Sequence, residues 1–386
     1  MSFQDVNNGF YNALVESLGL SRQHFALLQP ASPVLTTANL WNHYFNLIPP
    51  EANFIDLVLS SGSQYFDNYK ALWSSLLSGA ESSYENKIPQ NIRDAFADFV
   101  SSRPNPPSLS QFPALFRNWA FIRYPKYANI GATAWANMLL DPIASGSARL
   151  IPYLGDPGDP TTEPPKPPIP ERQPDWDEDI DSLNAQLRLA PSRSIDYLQS
   201  TSNTDVTNTW AHGKTNVFFG VSRSDSRTSS TSSKFSQNEI SLKGSFGHVM
   251  TFSPVPGSWF SSAGTKIAYD NKDTVPPWVS GALKNWTSTF DPQAGTLARF
   301  IVSLVVVDTM NITFHSLAKY TDEERNDILK NKSGGVWPFY NTSSDSGIST
   351  QMNFNDDNEM TITIASLPGV PIVIGANVFS AKDYLV

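Results

Sequence analysis

The amino-acid sequence predicts an α+β protein with an all-helical N-terminal lobe, a Pro-rich linker and a mainly antiparallel β-rich C-terminal lobe, sandwich-like or built on a bent sheet. Three observations carry this expectation. Up to about residue 150 the apolar residues recur at helical spacing, between Pro152 and Pro174 nine prolines fall in 23 residues, and beyond residue 193 apolar and polar residues alternate with a period of two. The expected organisation is a helical domain over 1–151, a linker over 152–174 and a β-rich domain with a leading helix over 175–386.

Taken in order, Phe3 to Leu18 carries the first helical stripe, closed by Gly19, and Leu40 to Leu47 the second, closed by Pro49 and Pro50. In Ser63 to Leu77 the residues Tyr65, Phe66, Tyr69, Leu72, Trp73, Leu76 and Leu77 share one face, with Ser63 placed to cap the start and Gly79 to end it. Ile92 to Val100, Leu109 to Ile122 and Ala128 to Leu140 repeat the pattern. Proline-rich breaks such as Ser101 to Ser110 separate them, since proline has no amide hydrogen and its ring clashes with the preceding turn. Trp41, Trp73, Trp119 and Trp135 lie in these stripes and are expected to anchor the core rather than to form a ligand cage.

The proline-dense segment favours extended polyproline II, so a semi-rigid linker is expected. Asp175, Asp177, Glu178, Asp179 and Asp181 supply negative charge where a helix start favours it, predicting a connecting helix over Asp175 to Leu189. Strands are expected at Lys214 to Ser222, Glu239 to Phe252, Arg299 to Leu317, Thr350 to Phe354, Glu359 to Ala365 and Pro371 to Phe379. The turn residues Asn355 to Asn358 make the fourth and fifth of these an antiparallel hairpin. Helical insertions are expected at Trp259 to Ala268 and Thr321 to Lys330.

Composition narrows the function classes. A net charge of -9 and a pI near 5.0 argue against nucleic acid as a partner, because a phosphate backbone demands clustered Lys and Arg. The chain has no Cys, which removes disulfides, thiolate metal sites and cysteine nucleophiles. Its longest apolar run, Ile301 to Val307, is far short of the roughly 20 residues of a membrane-spanning helix. The first twenty residues lack a basic start followed by an apolar run, so no signal peptide is expected, and the protein is expected to be soluble, either cytoplasmic or released by a non-classical route.

Sequence patterning offers few chemical sites. On the strand from Glu239 to Phe252, strict alternation places His248 with Ile240, Leu242, Phe246, Met250 and Phe252, as a buried neutral imidazole bonded to backbone. Its only companions for metal binding or acid-base work in this lobe are Asp308, His315 and His212. Asp308 and His315 stand seven apart, so on an unbroken strand they face opposite sides unless a bulge or bend intervenes. No HExxH, GxSxG, P-loop or GxGxxG motif is present, and no cofactor is implied. His24 and His43 are expected to be structural.

The segment from Ser222 to Ser236 is almost wholly Ser, Thr, Arg and Asp, a composition that predicts a solvated loop. Beside the amphipathic strand that follows, it is similar in composition to the hairpins that some β-type pore-forming toxins hold folded and later insert as a barrel. That similarity implies a membrane or assembly segment including Thr228, Ser230, Ser232, Phe246 and Phe252. The expected function is therefore non-enzymatic binding or assembly, with a toxin-like membrane role as its most specific form. The partners open to it are a protein, glycan or lipid surface, or further copies of itself in a homo-oligomer. The alternatives are a metal-dependent or hydrolytic enzyme around His248, and a self-assembling structural protein.

Overall fold

The computed structural model describes residues 3–34, 40–46, 64–78, 84–105, 107–158, 161, 168–177, 180–202, 204–205, 233–272, 274–331, 335–336, 339–340, 347–367 and 369–385. The protein is α+β, and its chain divides into two compact units that interleave along the sequence. Residues 1–61, 178–254 and 299–379 make the sheet unit, and residues 62–177, 255–298 and 380–386 make the helical unit. This differs from the consecutive domains that periodicity suggests. The helix Phe3–Leu18 turns Val6, Phe10, Leu14 and Leu18 into the core of the sheet, so the N-terminal residues belong to the β-rich unit.

Nine strands are described: β1 (Phe25–Pro33), β2 (Arg193–Leu198), β3 (Ile240–Phe252), β4 (Arg299–Ser316), β5 (Gly335–Val336), β6 (Phe339–Tyr340), β7 (Ile348–Phe354), β8 (Met360–Ser366) and β9 (Ile372–Ser380). Seven form one sheet in which β4 is the spine. Along one edge β4 pairs with β3, which pairs with β2; along the other it pairs with β8 through its C-terminal half and neighbours β9, which pairs with β1. The hairpin expected around Asn355 to Asn358 joins β7 and β8, with Asn358 at φ 62 in the left-handed region that Asn tolerates.

Two strands escape the sequence pattern. β1 contains Pro30 and Pro33, which are tolerated because it pairs with β9 alone, and its register shifts between Leu27 and Ser32. β2 has only the short alternation of Ile195 and Tyr197 to mark it. The expected strand over Lys214 to Ser222 lies outside the described residues.

The centre of the sheet changes sides at one point. The β3–β4 ladder runs to Phe246↔Met310 and resumes at His248↔Asp308 with no residue gained on either strand. Between them Thr309 takes φ 54, opposite Gly247, where a Cβ would stand 2.8 Å from that of Thr309. The core face uses Ile240, Leu242 and Phe246 but then Val249 on β3, and Met310, Ile312 and Phe314 but Val305 and Val307 on β4. Both strands therefore swap faces together, and register is preserved because each spends one residue on the change. Met310 N–H donates to Ser366 Oγ at 2.8 Å, closing the ladder where β8 ends.

In the helical unit the expected stripes appear as helices Gln64–Trp73, Gln90–Ser101, Phe112–Arg123 and Ala128–Met138. A further helix, Pro142–Leu150, has an Ala/Gly/Ser-rich sequence without a bulky stripe and is capped by Asp141, which accepts from Ala144 N–H at 2.8 Å. Its Gly146 and Gly264 of helix Ser262–Asp270 both flank the ring of Trp73, and a Cβ at either would overlap that ring. Trp73, Trp119 and Trp135 are buried here as expected, while Trp41 stacks on Phe252 in the sheet unit at 5.4 Å.

The described ends of the Pro-rich segment lie in one unit. Residues on both sides of it belong to the helical unit, and Asp156 and Ile169 exchange backbone hydrogen bonds of 2.8 Å that bring its ends together. Arg172 donates to the carbonyls of Ser101 and Arg103, and Tyr153 donates to Asp175 at 2.5 Å. These side chains tether the described residues at the two ends of the segment within the helical unit.

Placing a β-branched side chain against Thr309 tests the face change. Gly247→Val is expected to lower stability by about 1–3 kcal/mol through overpacking, read as a drop in denaturation midpoint, while Thr309→Gly stays within about 1 kcal/mol. A second test concerns Glu324, which accepts from Lys234 Nζ and from Thr321 N–H, both at 2.7 Å. Partial burial pushes its carboxyl up, but these bonds outweigh it and hold the group below the usual carboxylate range. The contribution of Glu324 is thus present above that range and lost as pH falls through the lowered value. Glu324→Gln is expected to lower the melting temperature at neutral pH, with the difference closing in acid.

Candidate functional site

The half of the sheet beyond the face change has one covered side and one open side. Its core side carries Ile195, Tyr197, Leu242, Ile312, Phe314, Ile362 and Ile364, all buried. The opposite side is built from the polar members of the same alternation. Three rows cross the five strands β2, β3, β4, β8 and β7: Ser194, Ser245, Asn311, Ala365 and Ser349; then Asp196, Lys243, Thr313, Thr363 and Gln351; then Leu198, Ser241, His315, Thr361 and Asn353. With strands about 4.8 Å apart the rows are roughly 20 Å wide.

Every side chain in these rows is exposed or half-buried. Within the rows the charged side chains Lys243 and Asp196 offset each other at 3.8 Å, and His315 Nε2 stands 3.8 Å from Glu359 at the margin. Glu359 is itself held by the hairpin end, accepting from Asn355 Nδ2 at 2.8 Å. No aromatic side chain belongs to the three rows.

His248 lies just past the face change. It points away from the core cluster that holds Phe246 and Val249, in contrast to the strict alternation expected of the strand, because the left-handed Thr309 and Gly247 shift the phase by one residue. Its cross-strand neighbour is Asp308, with Nδ1 3.5 Å from Oδ2, and Thr309 Oγ1 donates to Asp308 Oδ1 at 3.0 Å. His248 Nδ1 is buried and makes no hydrogen bond. One of the three expected companions, Asp308, is thus brought beside His248.

The others are not. The phase shift puts His315 on the same side of β4 as Asp308, as only a bend could do, yet seven residues of strand keep them roughly 20 Å apart. His212, Thr228, Ser230 and Ser232 lie outside the described residues. Phe246 and Phe252, expected in a membrane or assembly surface, are each 1% exposed, the first in the core and the second under Trp41. Among the described residues no three His, Asp or Glu side chains converge as a metal site, and no helix is long and apolar enough to cross a membrane. The His24 ring packs at a tilt against Phe379, 4.0 Å between centroids, and burial pushes the pKa of the His43 imidazole down.

Comparison of the chain with family models, curated proteins and solved structures finds no match. The geometry alone therefore speaks to chemistry. An imidazole beside a carboxylate can exchange a proton, but two ligands leave a divalent ion underheld. The polar rows escaped sequence reasoning because alternation was used to find the buried partners, although the same period marks Ser, Thr, Asn and Gln as sharing one face.

The His248–Asp308 pair makes a specific prediction. Protein dialysed against zinc and then against metal-free buffer is expected to retain no stoichiometric zinc by elemental analysis. A full equivalent that disappears in His248→Ala would instead make the pair part of a metal centre.

Proposed function

We propose that this protein is a non-catalytic binding protein whose working surface is the polar face of the sheet, and that its ligand is a neutral, hydroxyl-rich surface of the glycan type. The observation that carries this is the three-row array of small hydroxyl and amide side chains across five strands. Each hydroxyl both donates and accepts, which suits vicinal hydroxyl groups. The face lacks the Lys and Arg excess that a phosphate backbone demands, and its apolar side chains, Leu198 and Ala365, and its single Lys243 fall short of what a lipid surface demands. It also lacks the aromatic and Met anchors found at the centre of protein interfaces.

A toxin-like membrane role is a second function, favoured by one feature of the topology. β2 and β3 are hydrogen-bonded neighbours, yet residues 199–239 join them where two to five residues would serve. Drawn out as a hairpin, that length offers roughly twenty residues to each arm, more than the 9 to 11 of a membrane strand. An enzyme centred on His248 has less support, since among the described residues its expected companions contribute Asp308 alone.

The test of the glycan proposal is an array of neutral oligosaccharides probed with the intact protein and with the double variant Thr313→Val, Thr363→Val. Both changes remove hydroxyls and keep shape, so the melting temperature is expected to hold while array binding falls at least about tenfold, as for two lost hydrogen bonds. Absence of binding, or binding that the variant retains, would sink the proposal. Dye release from phosphatidylcholine vesicles, altered by deleting Thr228 to Ser233, would support the membrane role in its place.

A further inference from the structure

The helical unit contains a cavity of about 230 Å³ remote in sequence from the polar sheet face. Three polar groups of its lining lack hydrogen-bond partners: the Tyr84 hydroxyl, the Trp135 indole N–H and the Arg93 Nε–H. Tyr84 is 7% exposed and Trp135 only 1%, so solvent does not satisfy them. They also lie together. The two rings are 5.0 Å apart between centroids, and the Tyr84 oxygen feels both the indole N–H and the Arg93 charge, which oppose the upward push of burial on that hydroxyl. A buried polar group without a partner costs about 1–3 kcal/mol, and three in one place mark a position where an acceptor is missing.

The rest of the lining defines what would bring the acceptor. Phe96, Met138, Ala148 and Ile151 supply an apolar wall, with the Met138 thioether able to adapt to shape. Arg93 already spends its outer nitrogens on Glu85, at 2.9 Å, and on Gln90, at 2.8 Å. Asp94 and Glu85 both stand in the lining, so the local charge is negative and an anionic head is disfavoured. The volume is below the roughly 300–1,000 Å³ of a site for a drug-sized molecule.

We propose that this cavity is a binding site for a small, uncharged, largely apolar or aromatic molecule that presents one carbonyl oxygen to Tyr84, Trp135 and Arg93. The oxygen accepts from the indole and guanidinium N–H groups and from the phenolic O–H, while the apolar body lies against Phe96, Met138 and Ile151. This site is independent of the sheet face and stands or falls without it.

The experiment is a titration of the full chain with acetophenone, followed by the indole N–H resonance of Trp135, assigned through Trp135→Phe. Isopropylbenzene, of similar shape without the oxygen, and benzoate, with a charged head, serve as controls. Acetophenone is expected to move the Trp135 signal saturably and the controls to leave it in place. Tyr84→Phe is expected to weaken the apparent affinity about 3–10-fold, the range of one hydrogen bond. Ala97→Phe, from a half-buried lining position, should fill the space and abolish the shift while the melting temperature is retained, which keeps the test decisive if Tyr84→Phe folds poorly. No shift with acetophenone, or equal shifts with all three compounds, would overturn the proposal and leave the three donors to ordered water.

Discussion

Gly247 facing a left-handed Thr309 decides which side of the sheet every residue of β3 and β4 occupies. On either side of that point the two strands alternate in the ordinary way, and the ladder keeps one register throughout. A single strand with a shifted phase would throw half its apolar side chains into solvent. Two strands shifting together keep the core continuous, from Leu242 and Phe314 at one end to Val249 and Val307 at the other. Glycine is needed on β3 because the Thr309 side chain occupies the space its Cβ would take, and the backbone cost at Thr309 is borne by the packing around it.

The same point divides the sheet into two regimes. Before it, Ser303 to Val307 of β4 form an unbroken buried run, because helix Phe3–Leu18 and its neighbours cover one side while Trp41 stacks on Phe252 on the other. After it, one side is core and the other is open, and strict alternation of apolar and polar residues returns. The open side carries the array of Ser, Thr, Asn and Gln side chains. The His248–Asp308 pair sits at the boundary, a position that explains its partial burial.

The helical unit follows a different logic. Its helices close on aromatic rings, and small residues matter as much as large ones: Gly146 and Gly264 exist to admit Trp73. Rings packed at a tilt against one another leave polar atoms that have no backbone to bond, which is how Tyr84 and Trp135 come to line a cavity with their donors unspent. The Pro-rich excursion belongs to this unit through Arg172 and Tyr153, whose side chains supply the hydrogen bonds that proline backbone lacks.

Local chemistry was sufficient for much of the fold. Helical spacing marked the long stripes, Gly19 at φ 67 ended the first helix, and Asn355 to Asn358 turned the β7–β8 hairpin. Strand alternation was legible for β3, β4, β7, β8 and β9. It was not legible for β1, whose prolines are acceptable only at a sheet edge, nor for helix Pro142–Leu150, whose small residues carry no stripe. Of the candidate residues, sequence alone offered Asp308, His315 and His212 as companions of His248; the β3–β4 register set Asp308 beside it, the left-handed Thr309 decided their side of the sheet, and seven residues of strand hold His315 away. The amino-acid pattern by itself determined the element types and the α+β class, since these depend on neighbours a few residues away. Which N-terminal residues join the sheet, which face is left open and which donors share a cavity depend on contacts between residues far apart in the chain, and only the tertiary structure decided them.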